Sequence, residues 1–318
     1  RRMPEETRAW VQAFVDGLNA YQDRLPRLPP EFRLMGMRPE TFTFRDILVG
    51  SRFAGTDFTW LNYFPLLERR GRPGFAKLWN RTLETGETPT SSSRPDAPGA
   101  ELEDLLLNTP RSGSNSVVVS PGRSETNAAL IANDPHLGLS LPNLWILAGL
   151  RSPSFDVVGL SIVGLPMLGL GRNPDLAWGG TNLRAASSDL YDVSGLDQNS
   201  FETRETVIRS RFWRSTTRKI RRSAFGPIIS DSKTVKCGGR GPIALRWVGH
   251  ESNDEMTSFL NCARARNADE FRRAFIGYGV SGQNMLFATR SGDIGHILAV
   301  TQPVRTAFPK DDLGLDAR

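Results

Sequence analysis

Nothing in these 318 residues approaches the roughly 18 to 20 consecutive apolar positions with which a helix crosses a bilayer. The richest stretch, Val157 to Leu170, is interrupted by Gly159, Gly164, Pro166 and Gly169, so no transmembrane helix is expected. An apolar N-terminal h-region is lacking too, because Arg1 is followed by a charged, helix-like segment; no signal peptide is visible. Cysteine is scarce. Cys237 and Cys262 are the only two, their spacing fits no zinc pattern, and they read equally as free thiols or as one bridge. Histidine is limited to His136, His250 and His296, and no Gly-x-Ser-x-Gly elbow stands in a strand-turn-helix setting. His-x-x-x-His and Asp-x-Asp metal spacings are absent. Lysine numbers 5 against 35 arginines, within a net charge of +6. The densest basic cluster, Arg209, Arg211, Arg214, Arg218, Lys219, Arg221 and Arg222, alternates with Ile208, Phe212, Trp213 and Ile220. That pattern suits the solvated faces of a β-hairpin better than a surface tracking phosphates, and no nucleic-acid partner is expected.

What is present is ordinary globular composition, 39% hydrophobic and 23% charged, in a chain long enough to bury a real core. Pro4-Glu5-Glu6 starts a helix whose Trp10, Phe14, Leu18 and Tyr21 recur at helical spacing, and Pro26, Pro29 and Pro30 end it. Thr43 with Asp46 three residues on has the form of a capping box for a second helix, running loosely through Trp60. Leu61 to Trp79 reads as further short helix broken at Gly71 and Pro73. The texture then changes. Gly86 to Gly99 is rich in Pro and Ser and reads as a linker. From Gly113 onward strands are expected at Val117–Val119, Leu130–Ala132, Trp145–Leu150, Val157–Val163 and Leu176–Trp178, then through Thr206–Trp247, Met285–Ala288 and Gly295–Val300. One helix, Asn253 to Phe275, interrupts them.

One ordered set of short motifs stands out. Arg111-Ser112-Gly113-Ser114-Asn115-Ser116 lies where linker gives way to strand, and Ala132-Asn133-Asp134-Pro135-His136-Leu137-Gly138 follows. Gly164-Leu165-Pro166, Gly171-Arg172-Asn173, Leu176-Ala177-Trp178-Gly179-Gly180-Thr181-Asn182 and Asp189-Leu190-Tyr191 come next. In this order and spacing they resemble the penicillin acylase family of N-terminal nucleophile hydrolases, which includes penicillin, cephalosporin, acyl-homoserine-lactone and cyclic lipopeptide acylases. Upstream, Gly17 to Tyr21, Leu28 to Phe32 and Arg38 to Glu40 resemble the family's small subunit. Downstream, Ala244 to Trp247, Gln283-Asn284 and Gly292 to Gly295 resemble its large subunit. The resemblance covers nearly the whole chain. It implies an α+β fold: the first part of an αββα sandwich, preceded by an α-rich small-subunit segment. Residues 1–85 would belong to the small subunit, 86–113 to a spacer cut or removed on maturation, and 114–318 to the large subunit. The two subunits would form a heterodimer from one precursor, periplasmic or secreted. A leader and further small-subunit sequence would precede Arg1, and the remainder of the large subunit would follow Arg318.

The chemistry of such a site follows from elementary arguments. Cleavage between Gly113 and Ser114 would give Ser114 a free α-amine with a reference pKa of about 7.7 to 8.0, neutral enough to accept the proton of its own hydroxyl. One residue then supplies nucleophile and base, which removes the need for a triad. Gly113 lacks a Cβ, leaving the approach to its carbonyl open before an N→O acyl shift. By resemblance, His136 contacts Ser114 and orients its amine, and its backbone N–H would serve the oxyanion; the benzylpenicillin-type branch carries Gln there. Asn182 matches a residue whose backbone N–H faces the developing oxyanion, a donor worth about 2.7 to 4 kcal/mol in a transition state. Asn133 reads as a turn residue bonding its own backbone. Leu137, Trp145 and Ile162 are candidates for an acyl pocket, with core packing the competing reading for each. The family's second oxyanion donor, an Asn side chain from a later segment, has no counterpart in these residues. No cofactor is required. Some members bind calcium through carboxylates, and Asp189 matches one of them, but Ala186 stands where another acid would be, which argues against metal. The expected activity is hydrolysis of a linear amide joining an acyl chain to an amine-bearing core such as a β-lactam nucleus, homoserine lactone or lipopeptide. The competing readings are an inert homologue or fragment with a binding role, and a basic protein that binds polyanions through the Arg209 to Arg222 cluster.

Overall fold

The computed structural model describes residues 3–56, 59–85, 114–136, 143–183, 185–210, 212–238, 241–305 and 313–317. The spacer 86–113, with Gly113 in it, and Leu137 therefore lie outside the described residues. The chain forms two compact units, each assembled from separated segments: 1–56 with 112–183 and 252–301, and 57–111 with 184–251 and 302–318.

The first unit begins with helix α1 (Glu5–Arg24), which has glutamates in its first turn and no side-chain cap. Its buried stripe is Thr7, Val11 and Val15, with Trp10, Phe14 and Leu18 partly buried at its flanks. Tyr21, expected on the buried face, is 68% exposed. The apolar stripe is turned toward the β-branched residues, and the large rings serve as its shoulders; Trp10 stacks on Phe155. A short helix α2 (Pro30–Leu34) follows, with Pro30 in its first turn, where no N–H is needed. Helix α3 (Phe44–Ala54) begins with the capping box expected at Thr43 and Asp46. It ends at Gly55, where a Cβ would stand 3.2 Å from the Val280 carbonyl oxygen.

Strands β1 (Ser114–Val119) and β2 (Leu130–Pro135) form an antiparallel hairpin. Strands β3 (Trp145–Ser152), β4 (Phe155–Ile162), β5 (Leu168–Arg172) and β6 (Leu176–Asn182) follow. With two later strands they make a six-stranded antiparallel sheet. Strand β5 has a glycine-rich sequence that does not announce a strand. The reason is close approach: a Cβ on Gly159 or Gly171 would strike the backbone of the neighbouring strand.

The second unit contains α4 (Trp60–Arg69) and α5 (Phe75–Thr85), separated at Gly71 and Pro73 as expected. Strand β7 (Ser188–Asp192) lies between β11 (Ile243–Trp247) and β14 (Gly314–Asp316), the latter parallel to it. A separate sheet holds β8 (Glu202–Ile208), β9 (Thr216–Ser223) and the two-residue β10 (Gly226–Pro227). Arg218, Lys219 and Arg222 are exposed on β9, while Arg221 makes paired bonds of 2.8 and 2.7 Å to Asp231. Val193, Phe201, Ile228 and Ala244 form a small core in this unit.

Back in the first unit, the helix expected over Asn253 to Phe275 is two helices, α6 (Glu255–Arg264) and α7 (Ala268–Ala274). Asn267 takes an extended backbone, and its side chain accepts from the Glu270 N–H, which starts a new helix where periodicity alone suggested continuation. Asn173 donates to the carbonyls of Ala263 and Ala265 and so satisfies the end that α6 leaves open. Strands β12 (Gln283–Thr289) and β13 (Ile294–Ala299) complete the large sheet in the order β13-β12-β6-β5-β4-β3. Val157, Leu176, Trp178, Met285 and Phe287 of this sheet share a core with Phe259 of α6 and Phe271 of α7. The β1–β2 hairpin packs against β6 and β12. Side chains alternate along β6: Trp178 joins the helical core, and a Cβ on Gly179 would meet Asn133 of the hairpin. The layers are helices, six-stranded sheet and hairpin.

Candidate active site

Ser114 is the first residue of β1, half-buried, and stands opposite Pro135, the last residue of β2. His136 follows Pro135 directly, so serine and histidine share the open end of the hairpin. The imidazole is half-exposed, and its Nε2 lies 2.6 Å from Asp134 Oδ2. A carboxylate only accepts, so Nε2 carries the proton and, in the neutral ring, Nδ1 is left as the acceptor.

Asn133 is not the self-bonded turn residue its type suggests. It lies within β2 opposite Ser116, its Nδ2 donates to the Asn115 carbonyl at 3.1 Å, and its Oδ1 accepts from the Gly180 N–H. No sequence signal pointed to this, because the bond reaches across 47 residues to another sheet.

Asn182 ends β6 opposite Gln283 of β12. Its side-chain oxygen accepts from Gln283 Nε2 at 3.1 Å, and the same amide reaches Ser281 Oγ at 3.0 Å. The preceding residue, Thr181, accepts from Asn284 Nδ2 at 3.1 Å, and Asn284 Oδ1 lies 3.1 Å from His296 Nε2. These lateral bonds run from β6 through β12 to β13 and hold the end of β6 in place. They give Gln283 and Asn284 a structural part that their sequence positions did not disclose.

Trp145 and Ile162 face each other across β3 and β4. The Trp145 ring lies 3.7 Å from where a Gly169 Cβ would stand, and its Nε1 is buried with no hydrogen-bond partner among the described residues. Ile162 packs against the cluster of Val11, Val15, Ile47 and Leu165.

Asp189 belongs to the second unit. It is 10% exposed and accepts from Arg305 Nε at 2.7 Å, while the other end of that guanidinium donates to the Ala186 carbonyl. A full positive charge already occupies the carboxylate, and Ala186 offers only a backbone oxygen that is itself engaged. This donor set does not fit a divalent cation, which needs several free oxygens. Among the described residues no group of three or more His, Cys, Asp and Glu is placed to hold a metal. Both cysteines are free. Burial raises the Cys262 thiol well above its ordinary value and raises Cys237 against the pull of Arg70, so neither is an activated nucleophile. No described helix is long and apolar enough to cross a membrane.

Among known proteins, an acyl-homoserine lactone acylase QuiP of Pseudomonas aeruginosa is 42% identical over 196 residues, covering 55% of this chain and 23% of that protein. The QuiP of Pseudomonas syringae pv. syringae is 31% identical over 89% of this chain and 38% of its own length. A penicillin acylase 2 proenzyme of Pseudomonas sp. is 24% identical over 94% of this chain and 42% of its own. The chain thus spans less than half the length of these relatives. A thermostable penicillin G acylase from Alcaligenes faecalis shares the fold, with a TM-score of 0.51 at 23% identity over 59% of this chain and 35% of that one. This agrees with the α+β fold that the resemblance implied. The family model for penicillin amidase matches residues 1–317, and the chain belongs to that family.

Proposed function

We propose that the protein is an acylase that hydrolyses the amide between an acyl chain and an amine-bearing core, after its own chain is cut between Gly113 and Ser114. The observation that carries this reading is the place of Ser114 at the start of β1, on a hairpin packed against the strand that ends in Asn182. Once freed, the Ser114 α-amine takes the hydroxyl proton as Oγ attacks the substrate carbonyl. The Asn182 N–H donates to the oxyanion of the tetrahedral intermediate. The C–N bond then breaks and the departing amine receives the proton. Water, deprotonated by the same α-amine, resolves the acyl ester and returns free acid and Ser114. His136, with Nε2 committed to Asp134, presents Nδ1 to orient the amine. The base is the amine of Ser114 itself, so the proposed reaction needs no cofactor.

Two relatives of 42% and 31% identity are named as acyl-homoserine lactone acylases, which favours N-acyl-homoserine lactones as the first substrates to assay. Residues 1–85 and 114–318 are proposed as parts of the small and large subunits of a heterodimer, residing in the periplasm or outside the cell. Mass spectrometry of the matured full-length gene product should find a polypeptide beginning Ser114-Asn115-Ser116, and a serine-reactive sulfonyl probe should label it at Ser114. Ser114→Ala should abolish both cleavage and hydrolysis. An intact, uncut chain that hydrolyses the amide would overturn the mechanism, and a cut chain that neither labels nor turns over would favour an inert homologue.

A further inference from the structure

We propose that Asn133 is a positioning residue, a latch that sets the spacing between the nucleophile strand β1 and the oxyanion strand β6. The inference deepens the acylase reading and rests on it.

Its basis is the two-sided use of one carboxamide. Nδ2 holds the carbonyl of Asn115, the residue that follows the nucleophile, and Oδ1 holds the N–H of Gly180, two residues before Asn182. Among the described residues the hairpin and the large sheet are separate hydrogen-bonded sheets, with no backbone ladder between them to fix their separation. Apolar packing between layers resists separation but tolerates sliding, whereas a pair of directed bonds fixes position in the plane as well. Asparagine is suited to this place because it offers a donor and an acceptor from one short, planar group. Aspartate has no donor for the Asn115 carbonyl, and a hydroxyl is too short to reach both partners.

Gly179 is the other half of the latch. A Cβ there would collide with Asn133 Oδ1 and press on its Cβ and Cγ at 3.0 Å. Glycine at this position is therefore required by the approach of the Asn133 side chain, not by a turn. Thr181 and Asn182 then follow on a strand end already held from the opposite side by Asn284 and Gln283. The oxyanion strand is thus gripped toward β12 by two amides and toward the hairpin by one. A displacement of about 1 Å between nucleophile and oxyanion donor is enough to cost a reaction about a hundredfold.

The test uses the full-length gene product with an N-acyl-homoserine lactone series, and reads kcat, KM and hydrogen exchange at the Gly180 amide. Asn133→Ala is expected to lower kcat by about 10- to 100-fold with KM within about twofold, and to speed Gly180 exchange. Asn133→Asp keeps the acceptor for Gly180 and loses the donor for Asn115, so exchange should stay slow while kcat falls. Gly179→Ala should cost more activity in the wild-type background than in Asn133→Ala, because the latter substitution removes the colliding Oδ1 and Cγ and leaves only the 3.0 Å contact with Cβ. Asn133→Ala with wild-type kcat and wild-type Gly180 protection would overturn the latch, as would strictly additive effects of the two substitutions. Failure of the acylase reading is distinguishable: it shows in the wild-type protein as a chain not cut before Ser114, and the Gly180 exchange rates still report whether the latch exists.

Discussion

Asn182 separates a residue's type from its role. Its proposed catalytic group is a main-chain N–H, while its side chain is occupied with Gln283 of the neighbouring strand. Asn182→Ala should therefore keep the proposed donor, leaving kcat within about tenfold of wild type, a far smaller loss than the roughly 10²- to 10³-fold expected from deleting an oxyanion donor. Steady-state kinetics together with a melting temperature would separate lost support of β6 from lost catalysis. A fall of 10³-fold in the folded variant would show that the side chain itself contacts the reacting atoms. The roles proposed for Ser114 and Asn182 rest on motif spacing, which is visible in the sequence. Asn133 was not, since its partners Asn115 and Gly180 sit on two different strands and only folding brings them within reach.

The elements divide in a similar way. Helix α3 could be read from Thr43 and Asp46 because a cap is a local interaction among four consecutive residues. The break between α6 and α7 went unread, as Asn267 competes for backbone N–H groups only when the chain can turn there, and Asn173 stabilises that turn from 90 residues away. Asn267→Ala should lower stability by about 1 kcal/mol, seen in chemical denaturation as a shifted midpoint with an unchanged slope. Strand β5 has no local signature for another reason. Glycine weakens an isolated strand, and its value here lies in the approach of β4, which no single-strand pattern reveals. A Cβ at Gly171 would stand 2.6 Å from the Val158 carbonyl oxygen and 3.4 Å from the Trp178 ring. Gly171→Ala is expected to destabilise by about 1 to 3 kcal/mol by the same measurement.

At the scale of the molecule, ion pairs tie distant parts of each unit. In the second, Arg70 donates to Asp192 at 3.0 Å, with the guanidinium almost fully buried. Burial pushes the Asp192 carboxyl up, but hydrogen bonds from Ser194 and the charge and bonds of Arg70 outweigh it and hold the group below its usual value. The folded state therefore favours the carboxylate. Its contribution to stability is present in full above the unfolded pKa of about 3.9 and is lost as pH falls through the lower folded value. Asp192→Asn should melt below wild type at pH 7, and the gap should narrow as both are taken below about pH 4. A gap that does not change with pH would mean the pair acts through shape rather than charge.

The sequence alone determined the family and the alternation of helix-rich and strand-rich segments, because both are encoded in short-range spacing. It also excluded long apolar spans and zinc-like cysteine pairs. Only the tertiary structure decided that Asp189 already holds Arg305, that Asn133 joins hairpin to sheet, and that residues far apart in the chain assemble into two compact units. Those outcomes depend on which polar groups meet once apolar faces have closed. Such meetings are set by the packing of whole layers, which local propensity does not specify.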